Sequence, residues 1–405
     1  MLRYYQQTAV DRILADINKP GAALVVMPTA SGKSHVIAAT AQMLQPVLVL
    51  QPSKELVEQN VEKLAQVIPR EEIGIYSASF NSKEIKTFTY ATIQSVYKCP
   101  EKFTHIKLVI VDECHGVSIK NLDSMYVKFF KDIGSPKIIG LTATPFRLEL
   151  GYYWANYINE KGLPDKTLMQ STMLKLITRT RHKDAKEMFW KRILYKVDYK
   201  ELRDKGYLSP IEYIHNPLVP YSEIPINKSH SDYDLDGYVE SIIGQEAVIL
   251  NTIAEAQKRY KAVLVFCSNV DQCRSLSSVI KGSAMVLGET PKKEREEIIK
   301  KFKSGEIQTV FNYGTLTTGF DKPDLDCVVL LRPTRSPALY NQMIGRLSRI
   351  APGKTKGTVI DLTGTCDKLG TIESFELYRN SEGKVDLKTD RCENYHDKVL
   401  FVREA

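Results

Sequence analysis

No apolar run in this 405-residue chain is long enough to cross a membrane. Runs such as AALVVM at 22–27 and VVLL at 328–331 are strand-sized, against the ~18 residues a spanning helix needs. The start, MLRYYQQTAV, lacks the charged-then-apolar order of a secretion signal. Both absences lead to the expectation of a soluble, cytoplasmic protein without a membrane partner. Cysteine is sparse and scattered: Cys99, Cys114, Cys267, Cys273, Cys327, Cys366 and Cys392, with no CxxC. A structural zinc site needs close ligand pairs, so reduced thiols and no zinc are expected. Low-complexity tracts and internal repeats are missing too. A composition of 43% hydrophobic and 26% charged residues argues against disorder and collagen-like repeats.

What is present is a basic excess with a location. The net charge is +8, and residues 147–205 hold 14 Lys or Arg against 8 Asp or Glu. Three-quarters of the excess therefore lies in one segment, which points to a polyanionic partner.

The length suits two or three domains. Short apolar runs at 22–27, 47–50, 108–111 and 137–141 alternate with amphipathic stretches such as SKELVEQNVEKLAQVI. The pattern returns with runs at 262–266, 284–287, 309–312, 327–331 and 358–362. Alternating buried-type strands and helices predict α/β domains with parallel sheets covered by helices. Ligands then sit on the loops at the strand ends. The expected division is a first domain at 1–147, an inserted basic segment at 148–208, a second domain at 209–365 and a tail at 366–405. The insert reads as helix-compatible (MLKLITRTRHKDAKEMFWKRILYKV), and FELYRN-SEG-KVDLKT in the tail reads as a hairpin.

Three motifs carry chemistry. After the run 22–27 comes Pro28-Thr29-Ala30-Ser31-Gly32-Lys33-Ser34 and a predicted helix. Backbone amides at a helix start face phosphates, so Lys33 would reach the β and γ phosphates and the Ser34 hydroxyl would bind magnesium. Met27 stands where the full pattern has its first Gly, and Ala30 where a Gly is common. Second, VDECH places Asp112 and Glu113 at a strand tip, 79 residues beyond Lys33. Asp112 would hold magnesium and Glu113 would orient or deprotonate the attacking water, with His115 linking the site to its neighbours. Phosphoryl transfer depends mainly on such positioning and charge stabilisation. Third, QMIGRLSR carries Arg346 and Arg349 three residues apart, which predicts one shared helix face. Supplied from the second domain, they would stabilise transition-state charge.

In this order the motifs resemble those of superfamily 2 helicases over nearly the whole chain. The resemblance implies two tandem RecA-like domains with the basic helical insert between them, ATP and Mg2+ as cofactors, and a monomer. LRYYQQTAV resembles the adenine-reading start: Tyr5 would stack on the base, Gln6 would hydrogen-bond it, and Arg3 would lie nearby. Thr142 and Thr144 of LTATPFR would couple the ATP site to the strand. In NYGTLTTGFDKPDLD, Asp321 would sit near the ribose and Gly319 would allow close backbone approach. Nucleic-acid backbone contacts would come from Ser53, Lys54, Thr92, Gln94, Ser268, Asn269, Thr315 and Thr317. Hydroxyl and amide side chains suit phosphate contacts that carry no sequence information.

GLTATPFRL, DKGYLSPIEY, LTTGFDKPDLDCVVLLRPTRS and IGRLSRIAPGKTKG resemble more closely the RadD-type DNA repair helicases and phage-encoded branch-migration helicases. The cysteine-rich region of the RadD type has no counterpart here and the basic insert is longer, which fits the phage-like relatives better. A bacterial or phage-infected cell is the expected setting. The expected activity is ATP-dependent unwinding or remodelling of forked, branched or single-stranded DNA. Arg179, Arg181 and Lys183 of the insert would grip duplex or a junction arm, and Trp190, Phe189 or Tyr195 would act as a stacking wedge. Nothing in the motor motifs tests for a 2′-hydroxyl, so an RNA helicase stays open. So do the motor subunit of a larger DNA-processing complex and an ATP-gated clamp without turnover.

Overall fold

The computed structural model describes residues 2–117, 124–158, 164–177, 189–229, 232–316, 320–379 and 385–391. Two compact units share the chain. The first is built from residues up to Pro145, Leu176–Leu208 and a short stretch ending at Asp321. The second is built from Phe146–Lys175, Ser209–Leu316 and the residues from Lys322 onward.

The first unit holds strands β1 (Ala22–Val26), β2 (Val47–Gln51), β3 (Ile73–Ser77), β4 (Ser82–Lys83), β5 (Phe88–Thr92), β6 (Leu108–Asp112) and β7 (Lys137–Thr142). After β8 (Phe146–Ile158) and β9 (Pro164–Leu176), which pair with each other, β10 (Trp190–Lys196) joins the same sheet. The order is β10-β1-β7-β6-β2-β5-β3-β4, and β4 alone runs antiparallel to its neighbour. Every residue of β1, β2, β5 and β6 is buried. Unbroken apolar runs form such strands because helices cover both faces.

The insert differs from the helical expectation. Its described residues form β8, β9 and β10, and only Tyr199–Asp204 is helical. Tertiary packing decides this. Trp190 is fully buried in the core with Cys114 and Phe129. Gly140 makes the room: a Cβ there would lie 2.7 Å from the Trp190 ring and 2.6 Å from Cys114 Sγ. Phe189 stacks on Phe130 at 6.0 Å, and Tyr195 is half-buried. Trp190 is therefore a core residue and cannot act as a wedge. β10 is also an edge strand, and Lys191, Arg192 and Lys196 suit an edge that must not pair further. Arg179, Arg181 and Lys183 lie outside the described residues.

Arg192 is committed within the fold. Its Nε and Nη2 each donate to the Asp16 carboxylate at 2.7 Å, and Lys137 Nζ donates to Asp16 Oδ2 at 2.7 Å. This cluster ties the end of the helix Tyr4–Asp16 to β7 and β10. Burial alone would raise the Asp16 carboxyl, but Arg192 and Lys137 outweigh it and hold it below its ordinary range. Its contribution to stability is then complete above the unfolded carboxyl's pKa and drains away as pH falls through the lower folded value. Asp16→Asn leaves the buried Lys137 and the partly exposed Arg192 without their anion and should cost about 2 kcal/mol at neutral pH, in the range for hydrogen bonds to a charged group. Denaturant melts across pH should show the gap between variant and wild type closing below about pH 4. A constant gap would contradict the assignment.

The second unit contains β11 (Ile211–His215), β12 (Val263–Phe266), β13 (Ser283–Val286), β14 (Thr309–Asn312), β15 (Cys327–Leu330) and β16 (Gly357–Asp361). All are parallel, in the order β11-β16-β15-β12-β14-β13. The helices Glu246–Arg259, Val270–Val279, Lys292–Ser304 and Pro337–Ile344 alternate with them. The tail pattern forms the hairpin it predicts: β17 (Glu376–Arg379) pairs antiparallel with β18 (Val385–Lys388).

Six cysteines are free thiols among the described residues. His215, Asp361 and Cys366 bring donor atoms within 4.8 Å of one another. Asp361 is engaged there in holding the chain, accepting from the Thr363 amide and hydroxyl and from the Cys366 amide. Among the described residues no helix is long and apolar enough to cross a membrane.

Candidate active site

In the first unit the tips of β1, β7 and β6 stand side by side, and each delivers one part of the site. From β1 comes the loop 28–32, ending at Gly32, whose φ of +82° caps the helix Lys33–Met43. Ala30 is also left-handed, at φ +65°, which explains why a Gly is common there. The loop is braced from below. The Ser31 carbonyl accepts from Tyr5 Oη and from Gln6 Nε2, both at 3.0 Å. Gln6 Oε1 accepts from the Arg3 amide at 2.9 Å, and the Arg3 guanidinium donates to Tyr5 Oη and lies 5.0 Å over the Tyr207 ring.

This geometry corrects the role expected of Tyr5. Its side chain is fully buried, edge-on to Tyr4 and Tyr207, and has no face to offer a base. It is a strut beneath the phosphate loop. Gly32 is equally constrained, since a Cβ there would stand 2.5 Å from Gln6 Nε2 on top of the left-handed backbone. Gly32→Ala should therefore displace Gln6 and the loop. A nucleotide titration should show affinity weakened by about tenfold or more, since strain at such a position costs of order 1–3 kcal/mol. Unaltered affinity would remove Gly32 from the site.

β6 ends at Asp112, and Glu113 follows with a left-handed backbone at φ +46°. Asp112 Oδ1 accepts from the Glu113 amide at 3.0 Å, and Oδ2 accepts from Asn60 Nδ2 at 3.3 Å. Burial, then the neighbouring Glu113, pushes the Asp112 carboxyl up to about 6 against the opposing pull of Lys33. Lys33 Nζ is 3.3 Å from Glu113 Oε1, and His115 Nδ1 is 3.4 Å from Glu113 Oε2. His115 Nδ1 also meets Thr142 Oγ1 at 2.9 Å and Thr144 Oγ1 at 3.3 Å. Thr142 and Thr144 are buried and joined through the Thr144 amide. A continuous polar path thus runs from Lys33 through Glu113 and His115 to the turn after β7.

The donor set fits magnesium. Asp112 and the half-buried Ser34 offer hard oxygens, and a buried carboxylate beside a second carboxylate is stabilised by a cation. Thr29 is half-buried in the same loop. Asn60 went unassigned in the sequence, although its signal is there. It is a polar residue on the buried face of the helix Lys54–Leu64, in line with Val57, Val61 and Leu64.

The expected nucleic-acid contacts divide. Ser53, Lys54, Thr92 and Gln94 collect at the tips of the paired strands β2 and β5. Ser53 caps a helix, Lys54 lies 4.8 Å over the Phe80 ring, Thr92 meets Ser95 at 2.9 Å, and Gln94 is exposed. In the second unit, Ser268 is fully buried and donates to the Leu331 carbonyl at 2.7 Å, so it cannot touch a strand. Asn269 caps the helix Val270–Val279 and donates to Asp236. The Thr315 hydroxyl donates to the Val286 carbonyl. Thr317 and Gly319 lie outside the described residues, and Asp321 is half-buried.

The arginines do not share an α-helical face. The helix Pro337–Ile344 ends before them, Arg346 is buried in the 3-10 turn Gly345–Ser348, and Arg349 follows in extended backbone at φ −71°, ψ 136°. Pro352 keeps the chain from resuming a helix through Ala351, since the residue before a proline disfavours the helical region.

Residues 1–147 match the family model described as type III restriction enzyme, res subunit, and residues 245–351 match the helicase conserved C-terminal domain. The chain is 25% identical over 403 residues to the putative ATP-dependent helicase IRC3 of Saccharomyces cerevisiae, covering 93% of this chain and 53% of that protein. It is 24% identical over 388 residues to the DNA 3'-5' translocase XPB2 of Sulfurisphaera tokodaii, covering 90% of this chain and 82% of the relative. A fragment of a putative HsdR subunit of a type I restriction enzyme from Vibrio vulnificus YJ016 superposes with a TM-score of 0.63 at 19% identity, over 91% of this chain and 65% of that one. That likeness shows the shared pair of parallel-sheet domains. The chain spans 53% to 64% of the length of the first curated relatives it matches.

Proposed function

From the premise that this chain belongs to superfamily 2 of the helicases, we propose that it is an ATP-driven DNA motor acting on forked or branched DNA in repair, recombination or replication. One observation carries the reading: the ion pair between Lys33 and Glu113, with Asp112 and Ser34 beside it, at the tips of β1 and β6, the two strands that flank β7. The triphosphate of ATP takes Lys33 by charge and the loop amides by hydrogen bonding. That exchange frees a Glu113 oxygen to accept a proton from water, while His115 holds the other. Bound through Ser34 and Asp112, magnesium would neutralise charge on the phosphates. Arg346 and Arg349 act from the second unit on the charge that develops during transfer. The path through His115 to Thr142 and Thr144 links this chemistry to the nucleic acid.

DNA is preferred over RNA as partner because the XPB2 relative is a DNA translocase, while the basic surplus of residues 147–205 suits either polyanion. The likeness to RadD-type and phage branch-migration helicases supports branched substrates. Strand displacement should be compared over single strand, duplex, fork, four-way junction and RNA of the same sequence. ATP-dependent remodelling of forks or junctions is expected. Displacement of RNA alone would move the assignment to RNA helicases, and ATP-dependent retention without displacement would favour a clamp.

A further inference from the structure

We propose that Lys354 is the positioning residue of the arginine turn, its ammonium fixing the main chain from which Arg349 projects. The inference rests on the reading above, in which Arg349 serves hydrolysis. Lys354 Nζ donates to the Leu347 carbonyl at 2.8 Å, to the Arg349 carbonyl at 2.9 Å and to the Pro323 carbonyl at 3.2 Å. An ammonium has three hydrogens, and three carbonyls receive them.

Two of these carbonyls bracket the break where the 3-10 turn gives way to extended chain. There the helical ladder has stopped and the carbonyls have lost their helical partners. The third belongs to the loop just beyond Asp321. One side chain therefore ties the arginine turn to the DKPDLD loop. The geometry behind it is fixed by Gly353, whose φ is +76°, and by the Lys354 amide, which donates to the Ala351 carbonyl at 3.1 Å. Burial, opposed most by Asp326, pushes the lysine down to about 8. Keeping a proton on a half-buried amine is costly, and the three carbonyls offset that cost. A lysine serving only as a solvated surface charge would not be held this way.

The test measures steady-state ATP hydrolysis and thermal melting of the full chain for K354M, K354R, R349A and K354M/R349A. K354M should lower kcat by about 10- to 100-fold, as a displaced catalytic group does. The KM for ATP should stay within about twofold, because phosphate binding lies elsewhere. K354R should recover much of the rate. The double variant should be no slower than R349A alone, because the lysine acts through the arginine. Wild-type kcat in K354M, or losses that multiply in the double variant, would overturn the proposal. Should K354M fail to fold, K354A, which likewise removes every donor hydrogen, decides by the same criteria. Wild-type turnover in R349A would instead refute the role given to the arginine itself.

Discussion

Glu113→Gln should bind ATP at least as well as the wild type and hydrolyse it at least about a hundredfold more slowly, the range for a lost general base. The amide keeps the size and shape of the carboxylate but cannot take a proton. It also cannot form the ion pair that Lys33 makes with Glu113 at 3.3 Å, so Lys33 is freer to meet phosphate. The fold should be spared. Glu113 is held at φ +46°, and Gln meets the same backbone strain as Glu there. Phosphate release should therefore collapse while a nucleotide-binding isotherm stays in place or tightens. Turnover near the wild-type rate would mean that the water is activated by some other group.

Loss of Arg349 should be as severe by a different route. Arginines that stabilise developing charge on a transferred phosphoryl group are worth roughly 10³–10⁵ in rate. Arg349→Ala should lower turnover toward that range and leave ATP affinity largely unchanged. Arg349→Lys should rescue poorly, since an ammonium lacks the planar fork of donors. Arg346 is the less clean probe. It is buried in its turn, so Arg346→Ala would mix a packing loss with the chemical one. Melting curves separate the two: R349A should melt with the wild type, whereas R346A should melt earlier. A variant without Arg349 that hydrolyses ATP normally would deny the second unit its part in the reaction.

Much of the site was legible because its geometry is local. A strand, a left-handed Gly32, a lysine and a helix follow one another directly, and an acidic pair at a strand tip has few other meanings once that loop is known. Parallel topology brings the tips of β1, β6 and β7 to one edge of the sheet, and packing sets their order. What escaped the sequence was set by distant packing. The string FWKRILYK is rich in helix-compatible residues, yet Trp190 fills the space over Gly140 and Arg192 answers Asp16, so the segment becomes an edge strand. Tyr5 looks available for stacking in a linear reading, but the fold closes over it. Ser268 has a hydroxyl of the right kind, and only the position of Leu331 shows that it is engaged. Arg346 and Arg349 have helical spacing, yet the helix ends at Ile344 and Lys354 takes the carbonyls of Leu347 and Arg349.

ATP hydrolysis measured with and without forked DNA, in the wild type and in Glu113→Gln, tests the central claim most directly. Slow basal turnover that DNA accelerates in the wild type, and no acceleration in the variant, is the predicted result. Turnover indifferent to DNA, or acceleration that survives the loss of Glu113, would contradict it.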